Sequence, residues 1–205
     1  MGLIMLDNGG TFMEIKIKED RRVRKTKRAL REGLAELLMV KSIQNITVKE
    51  LSDKVDINRS TFYANFTDIY DLYHQTEDAV VQEISNIFLE NYASSPRSFF
   101  EILFQYVSDN KQICCMFFGK NVSPTFFSRL TALFKESCLS CWCDSYGVAN
   151  TTKELEYYAH FYLSGGLAVV DKWAKENFEY SGEQLVMIFA DMDVNFGNFI
   201  KSKFA

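Results

Sequence analysis

Proline is scarce in this sequence: Pro96 and Pro124 are the only two among 205 residues. Proline kinks or ends a helix and glycine favours turns, so two prolines and ten glycines permit long uninterrupted helices. No stretch shows the strict alternation of apolar and polar residues that is typical of a strand, and there is no internal repeat. The sequence therefore predicts an all-α fold of about nine helices.

Helix-start signals divide the chain into these segments. Thr47 and Glu50 have the spacing of a capping box, and Ser181 and Gln184 repeat it near the C-terminus. Ser123-Pro124 and the pair Thr151 and Glu154 are further start signals. The predicted helices begin near Thr26, Thr47, Asn58 and Asp68 and then run over residues 96–108, 110–118, 124–146, 152–176 and 182–202.

Positive charge is concentrated near the N-terminus. Residues 14–66 carry 13 Lys and Arg against 8 Asp and Glu, whereas residues 67–205 carry 10 against 18. A basic segment in a chain of net charge −4 favours contact of that segment alone with a polyanion. The basic run from Arg21 to Arg28 is equally compatible with a solvated helix start.

Several classes of protein are not expected from this sequence. No apolar run approaches the length of a membrane span, and residues 1–6 lack the basic flank of a secretory signal. The five cysteines have no regular spacing, which indicates reduced thiols and a cytoplasmic protein. There is no pairing of a nucleophile with a base and no phosphate loop, so we expect a protein that is not an enzyme.

Cys138 and Cys141 fall on one face of a predicted helix, where two thiolates could share a soft metal ion. A zinc site needs four ligands, however, and no histidine lies near them in the sequence. Buried, inert thiols are therefore the preferred interpretation, and we predict no metal and no other cofactor.

Residues 47–65 have the pattern of a helix-turn-helix, with a tight break at Asp56-Ile57 and a basic amphipathic helix before it. The apolar faces of the three helices predict a small core formed by Leu34, Leu37, Leu51, Val55, Ile57 and Phe62. That core would hold the helix after Asn58 outward, so that its short side chains enter the major groove of DNA. Three helices with a purely structural role are the alternative.

The polar residues of this segment predict two kinds of DNA contact. Lys49 and Arg59 can donate to guanine, and Ser60 and Ala64 are small enough for close contact with bases. Hydroxyl, amide and basic groups suit phosphate oxygens, and those expected to contact the DNA backbone are Arg24, Lys27, Thr47, Thr61, Tyr63 and Asn65.

Residues 22–75 resemble the DNA-binding domain of the tetracycline-repressor (TetR) family. The most specific part is Thr61-Phe62-Tyr63-Ala64-Asn65-Phe66, followed by Asp68-Ile69-Tyr70-Asp71-Leu72. The resemblance implies the same base-facing and backbone-contacting positions. Two residues depart from the family pattern. Asp56 stands where glycine is usual, although aspartate tolerates a left-handed backbone, and Ile69 replaces a lysine that often binds phosphate.

The segment Asp68 to Leu72 also resembles a subgroup common in low-GC Gram-positive bacteria. Residues 161–166 followed by Trp173 resemble the C-terminal domain of that subgroup. The resemblance implies a homodimer formed by the last two helices of each subunit, and a ligand cavity built from the region between residues 99 and 146.

The last two predicted helices are apolar on more than one side, which favours one partner in the same chain and another in a second chain. An ordinary monomer core is the alternative. The residues predicted for the dimer interface are Tyr158, Tyr162, Val169, Phe189, Met192 and Phe196.

Residues 99–146 are rich in aromatic and sulfur-containing side chains. Such stripes form a packed core more often than a pocket, and core is the alternative that stays open. For a small apolar or aromatic ligand, the predicted contacts are Phe104, Met116, Phe117, Trp142 and Tyr162.

The sequence thus predicts a flexible extension over residues 1–18, a helix-turn-helix DNA-binding domain over 19–66, and a helical regulatory and dimerisation domain over 67–205. The expected function is that of a ligand-responsive repressor that binds a palindromic operator in double-stranded DNA as a homodimer. A co-regulator or activator whose C-terminal domain binds a partner protein is the alternative, and we expect no membrane association.

Overall fold

The computed structural model of the chain describes residues 4–6, 12–14, 21–92, 95–118, 124–148 and 150–204. The prediction of an all-α fold is confirmed. Two three-residue strands, β1 (Ile4–Leu6) and β2 (Phe12–Glu14), pair antiparallel with Met5 opposite Met13, which the sequence pattern does not predict. The rest of the predicted extension over residues 1–18 lies outside the described residues.

The described residues contain nine α-helices and one short 3-10 helix, Ile43–Asn45. The α-helices are α1 (Arg21–Leu38), α2 (Val48–Lys54), α3 (Arg59–Tyr63), α4 (Ile69–Asn91), α5 (Pro96–Asp109), α6 (Lys111–Cys114), α7 (Pro124–Tyr146), α8 (Lys153–Lys175) and α9 (Gly182–Phe204). We call α1–α3 the head and α4–α9 the body.

The helix starts follow side-chain capping. The Thr47 hydroxyl oxygen accepts from the Glu50 amide at 3.2 Å, as predicted. The Ser181–Gln184 capping box is confirmed, because each side chain accepts from the backbone amide of the other residue. At α8 the prediction is wrong by one residue, since the capping hydroxyl belongs to Thr152.

The predicted helix over residues 110–118 is wrong in its second half. Regular α-helix ends at Cys114, and the next amides turn back more tightly: Met116 donates to Ile113 and Phe117 donates to Cys114. Met116, Phe117 and Phe118 are all buried. Three consecutive side chains point in different directions around the helix axis, so other parts of the chain enclose this segment from several sides.

The head is built around a small apolar core. Leu34, Leu37, Leu51 and Phe62 are buried as predicted, whereas Val55 and Ile57 are only partly buried. Gly33 in α1 lies directly against Val55, which lets α1 and α2 approach closely. The head continues into the body because α1 also packs against α4 and α6.

The body has an aromatic interior. Phe88 and Tyr92 on α4 stack with ring centroids 4.6 Å apart, and Phe100 and Phe104 on α5 both contact Phe189 on α9. The main neighbour of α9 is α5, and the main neighbour of α8 is α7. No described helix combines the length and apolar character needed to cross a membrane.

The contact between Gly33 and Val55 gives a test of the head packing. A Cβ at residue 33 would overlap Cγ1 of Val55, so we expect Gly33→Ala to lower the free energy of unfolding by about 1–3 kcal/mol through overpacking. Urea denaturation measures it. In the matched double variant, Val55→Ala removes the overlapped methyl group. That double variant should be no less stable than Val55→Ala alone, and simple additivity of the two losses would contradict the packing.

Candidate functional site

The turn before α3 fixes the direction of this helix. Asp56 adopts a left-handed backbone with φ of 53°, as predicted for the position where glycine is usual. The Ile57 amide then donates to the Ser52 carbonyl at 3.0 Å, and the Asn58 side chain accepts from the Ser60 amide at 3.0 Å. The turn and the cap therefore set where the five residues of α3 point.

The residues predicted to face bases are all exposed. They are Lys49 on α2 and Arg59, Ser60 and Ala64 on α3 and its C-cap, while Phe62 of α3 is fully buried. Neither Lys49 nor Arg59 pairs with a carboxylate among the described residues, in contrast to Lys54, which bridges to Glu36. Both cations are thus available to an external anion.

The residues predicted to contact phosphate are less uniform. Arg24, Thr47 and Tyr63 are exposed, and Lys27, Thr61 and Asn65 are half-buried. The Asn65 amide donates to the Thr61 carbonyl at 2.8 Å, so only one of its two N–H bonds is free for a phosphate.

The first turn of α4 is acidic rather than anion-binding. Ile69 is buried and points into the core, where a lysine would have pointed outward. Asp68 caps the helix, and the Asp71 carboxylate accepts from the Thr67 amide at 2.8 Å, a hydrogen bond that lowers the pKa of Asp71. Both carboxylates disfavour a phosphate here.

A cavity of about 310 Å³ lies inside the body among α4, α5, α7, α8 and α9. Its lining is apolar apart from two tyrosines. The lining includes Phe88, Tyr92, Phe99, Phe100, Leu103, Phe134, Phe161, Tyr162, Gly165, Val169, Phe189, Met192 and Phe196.

Both tyrosine hydroxyl groups already donate a hydrogen bond within the protein. Tyr92 donates to Asp193 at 3.0 Å and Tyr162 donates to the same carboxylate oxygen at 2.5 Å, which ties α4, α8 and α9 together. Burial raises the pKa of Asp193, and the two hydrogen bonds oppose that shift. Burial also raises the pKa of both tyrosines. The polar end of the cavity therefore offers only oxygen lone pairs that accept.

The residues predicted to bind a ligand do not come together. Only Tyr162 lines the cavity. Met116 and Phe117 are buried elsewhere, where Phe117 stacks on Phe126 with ring centroids 5.0 Å apart. Trp142 packs behind Tyr162 with ring centroids 5.7 Å apart. Phe104 is buried against Trp173 and Phe189. For these four, the alternative of a packed core describes their placement.

Sequence reasoning missed most of the cavity wall, which comes from α8 and α9. The pair Gly165-Gly166 is the available signal, because two successive residues without side chains leave room beside a helix. In the structure a Cβ at Gly165 would meet no atom within 4 Å, so this glycine borders open space.

The structure meets the preferred interpretation of buried thiols only in part. Cys114 and Cys138 are buried, and burial raises the pKa of Cys114 to about 12, whereas Cys115, Cys141 and Cys143 are half-buried. Within the described ranges, no three His, Cys, Asp or Glu side chains cluster closely enough to hold a metal ion.

Comparison with known protein families identifies the C-terminal part of this architecture. Residues 94–192 match the family model TetR_C_8, described as a transcriptional regulator C-terminal region. Over residues 94–192, therefore, the chain is similar to the C-terminal region of TetR-type transcriptional regulators. This family consists of regulators and not of enzymes. No curated protein matches this regulator by sequence.

A solved structure shares the fold of this chain. It is the fatty acid degradation regulator FadR from Bacillus halodurans, with a TM-score of 0.60 at 10% sequence identity. The match covers 85% of this chain and 95% of that one. At this identity the likeness concerns the fold alone.

The residues that we predicted for a dimer interface are divided between surface and core. Met192 is 51% exposed, and Tyr158, Tyr162, Val169 and Phe196 are half-buried. Phe189 is buried against α5, so its inclusion needs correction: its ring belongs to the interior. The large exposed apolar side chains of α8 and α9 are Tyr157, Phe161, Met187, Ile188, Met192, Val194 and Phe199.

The buried Asp193 gives the regulator a testable pH dependence. Its pKa lies above the ordinary value of 3.8, so its contribution to stability is full below that pH and is lost as pH rises through the folded pKa. We expect Asp193→Asn to gain stability relative to wild type between pH 4 and pH 7, measured by urea denaturation. Asp191→Asn, on the exposed side of α9, is the matched control. A constant difference across this range would contradict the raised pKa.

Proposed function

We propose that this regulator is a ligand-responsive repressor that binds a palindromic operator as a homodimer in the cytoplasm. The observation that carries the proposal is the exposed face of α3, with Arg59 outward and Phe62 fully buried behind it. A helix held in this way can enter the major groove. The two exposed, unpaired cations Lys49 and Arg59 supply donors for guanine.

The small residues on α3 support close approach to the base edges. Ser60 and Ala64 are small and exposed, so they leave room for bases to approach the helix beside the larger side chains of Arg59 and Tyr63. Arg24, Lys27, Thr47, Thr61, Tyr63 and Asn65 are proposed to fix the register on phosphates. The acidic start of α4 restricts the phosphate contacts to α1, α2 and α3.

A substitution at Arg59 tests this interface. Arg59→Ala removes the proposed guanine donor, so we expect a 10- to 100-fold weaker affinity, about 1–3 kcal/mol, for DNA from the upstream region of its own gene. Fluorescence anisotropy with labelled duplexes measures it.

Arg97→Ala is the matched control, because Arg97 is an exposed arginine on α5 that pairs with Glu101. We expect it to bind like wild type. Wild-type affinity for the upstream DNA no better than for a scrambled duplex at about 150 mM salt would argue against sequence-specific binding.

The exposed apolar side chains of α8 and α9 support the homodimer. Phe161 is 72% exposed and Tyr157 is 68% exposed, which is unusual for aromatic rings on a solvated helix. Two-fold symmetry would present two copies of α3 to successive major grooves, about 34–36 Å or a multiple apart along a palindromic site.

The cavity supports a small apolar ligand and restricts its class. A carboxylate would find no donor, because the hydroxyls of Tyr92 and Tyr162 already donate to Asp193. A neutral apolar molecule with one hydrogen-bond donor fits the two tyrosine oxygens. The similar solved structure is that of a fatty acid degradation regulator. For the present chain we propose a neutral ligand rather than a fatty-acid anion.

Two fluorescent probes with one carbon skeleton test the ligand class. N-phenyl-1-naphthylamine is neutral with a single N–H donor, and 8-anilinonaphthalene-1-sulfonate adds an anion. We expect the neutral probe to bind at least about 10-fold more tightly, because burying the sulfonate without a donor is costly. Fluorescence titration measures both.

A variant that fills the cavity tests whether the neutral probe binds there. Val169→Phe places a ring in the cavity and should weaken the neutral probe at least about 10-fold. Val194→Phe, the same change at an exposed position of α9, should not. Equal binding of the two probes, or no effect of Val169→Phe, would contradict the ligand proposal.

A second candidate function is that of a co-regulator whose body binds a partner protein. The exposed rings of Tyr157 and Phe161 favour it, since a partner could cover them instead of a second copy. The apolar cavity favours the ligand-responsive repressor instead, because it can hold a small molecule.

A further inference from the structure

Two adjacent glycines, Gly165 and Gly166, lie in the middle of α8, where glycine is a poor helix former. Close packing is a common reason for such a glycine, and it applies to Gly166, since a Cβ there would lie 3.4 Å from the Phe189 ring. A Cβ at Gly165 would meet no other part of the described chain within 4 Å. Packing within the chain therefore does not account for Gly165, although both glycines line the cavity.

Large side chains hold α8 away from α4 and α5 on both sides of these glycines. Before them, Tyr162 and Tyr92 of α4 donate to the same oxygen of Asp193. After them, the Trp173 ring packs edge-on against Phe104 of α5, with ring centroids 5.5 Å apart. Tyr162 and Trp173 lie about 16 Å apart along the helix, at about 1.5 Å per residue. The bare glycine backbone lies between these two supports, so a gap remains beside it.

Aromatic rings form most of the remaining wall. More than half of the residues that line the cavity are aromatic, against 15% of the chain. Phe88 of α4 shows their arrangement, because its ring contacts Tyr92, Phe99 and Phe134 with centroids 4.6, 5.2 and 4.5 Å away. Rings in such a cluster attract a further ring by more than the burial of its area. An aromatic molecule extends the cluster, whereas a saturated molecule gains burial alone.

The size and shape of the cavity limit the molecule further. Its volume of about 310 Å³ is at the lower end of the range for ligand pockets, about 300–1,000 Å³. A compact molecule therefore fits better than a long chain. Because Gly165 has no Cβ, the wall formed by α8 is also flat at this position, which favours a flat molecule.

We propose that the cavity is a slot for a flat molecule of fused aromatic rings, which lies against the backbone of Gly165 and donates its one hydrogen bond to a tyrosine oxygen. This rests on the neutral ligand of the proposed function and names its class. Gly165 is the residue that sets the thickness of the molecule that the slot admits.

Two small alcohols test the class of ligand. 1-Naphthol and decahydro-1-naphthol share one carbon skeleton and one O–H donor, and both are neutral at about pH 7. The saturated molecule is thicker and has no ring to add to the cluster. In isothermal titration calorimetry with the full chain, we expect 1-naphthol to bind at least about 10-fold more tightly.

A single methyl group tests the role of Gly165. In Gly165→Ala the new Cβ enters the slot, so we expect the affinity for 1-naphthol to fall at least about 10-fold. Alanine favours the helix, so the urea midpoint of this variant should rise rather than fall. Weaker binding by a more stable protein is not expected from a glycine that serves packing alone.

Gly182→Ala is the matched control. Gly182 begins α9 and does not line this cavity, and a Cβ there would make an ordinary contact of 3.6 Å with the Phe104 Cβ. We expect its affinity for 1-naphthol to equal that of the unchanged protein.

The outcomes separate the slot from the proposed function. If decahydro-1-naphthol binds as tightly as 1-naphthol, or if Gly165→Ala leaves the affinity unchanged, the slot is overturned. The neutral ligand still stands in that case, provided that N-phenyl-1-naphthylamine binds more tightly than its sulfonate analogue. If neither alcohol binds and N-phenyl-1-naphthylamine does not bind, the ligand of the proposed function is overturned as well.

Discussion

The burial of Phe62 is the contact on which the proposed DNA interface depends. α3 has only five residues, too few to hold a helix without tertiary support. Phe62 and Leu51, both fully buried, anchor it to α2, and the Asn58 cap and the left-handed Asp56 fix where it begins. With Phe62 fixed in the core, the exposed residues of α3, among them Arg59 and Ser60, are held at the surface.

The body depends on a different kind of link. Asp193 accepts hydrogen bonds from Tyr92 and Tyr162, so one buried carboxylate connects the end of α4 with the consecutive helices α8 and α9. The same bonds occupy the only hydroxyl donors lining the described cavity. A single structural contact thereby sets which ligand chemistry the cavity accepts. It also makes the stability of the body sensitive to the protonation of Asp193.

Local signals predicted the head better than the body. The capping residues Thr47 and Asn58 and the turn at Asp56 depend on atoms within a few residues, so their outcome can be read from the sequence. In the body, the pattern of Phe104, Met116, Phe117 and Trp142 is compatible with a cavity, although it favours a core. An apolar ring lowers the free energy in either place, and only its neighbours decide which one it occupies.

The sequence by itself determined the all-α fold, most of the helix starts and the exposed residues of α3, because these follow from short-range hydrogen bonds and helical periodicity. It did not determine the start of α1, which begins at Arg21 rather than near Thr26. Only the tertiary structure decided that Phe189 lies inside, that Phe161 projects outward and that Gly165 borders empty space. All three follow from α9 packing chiefly on α5 and α8 on α7. Nothing in the local sequence encodes that choice of neighbours, which arises from how large aromatic side chains fill one common interior.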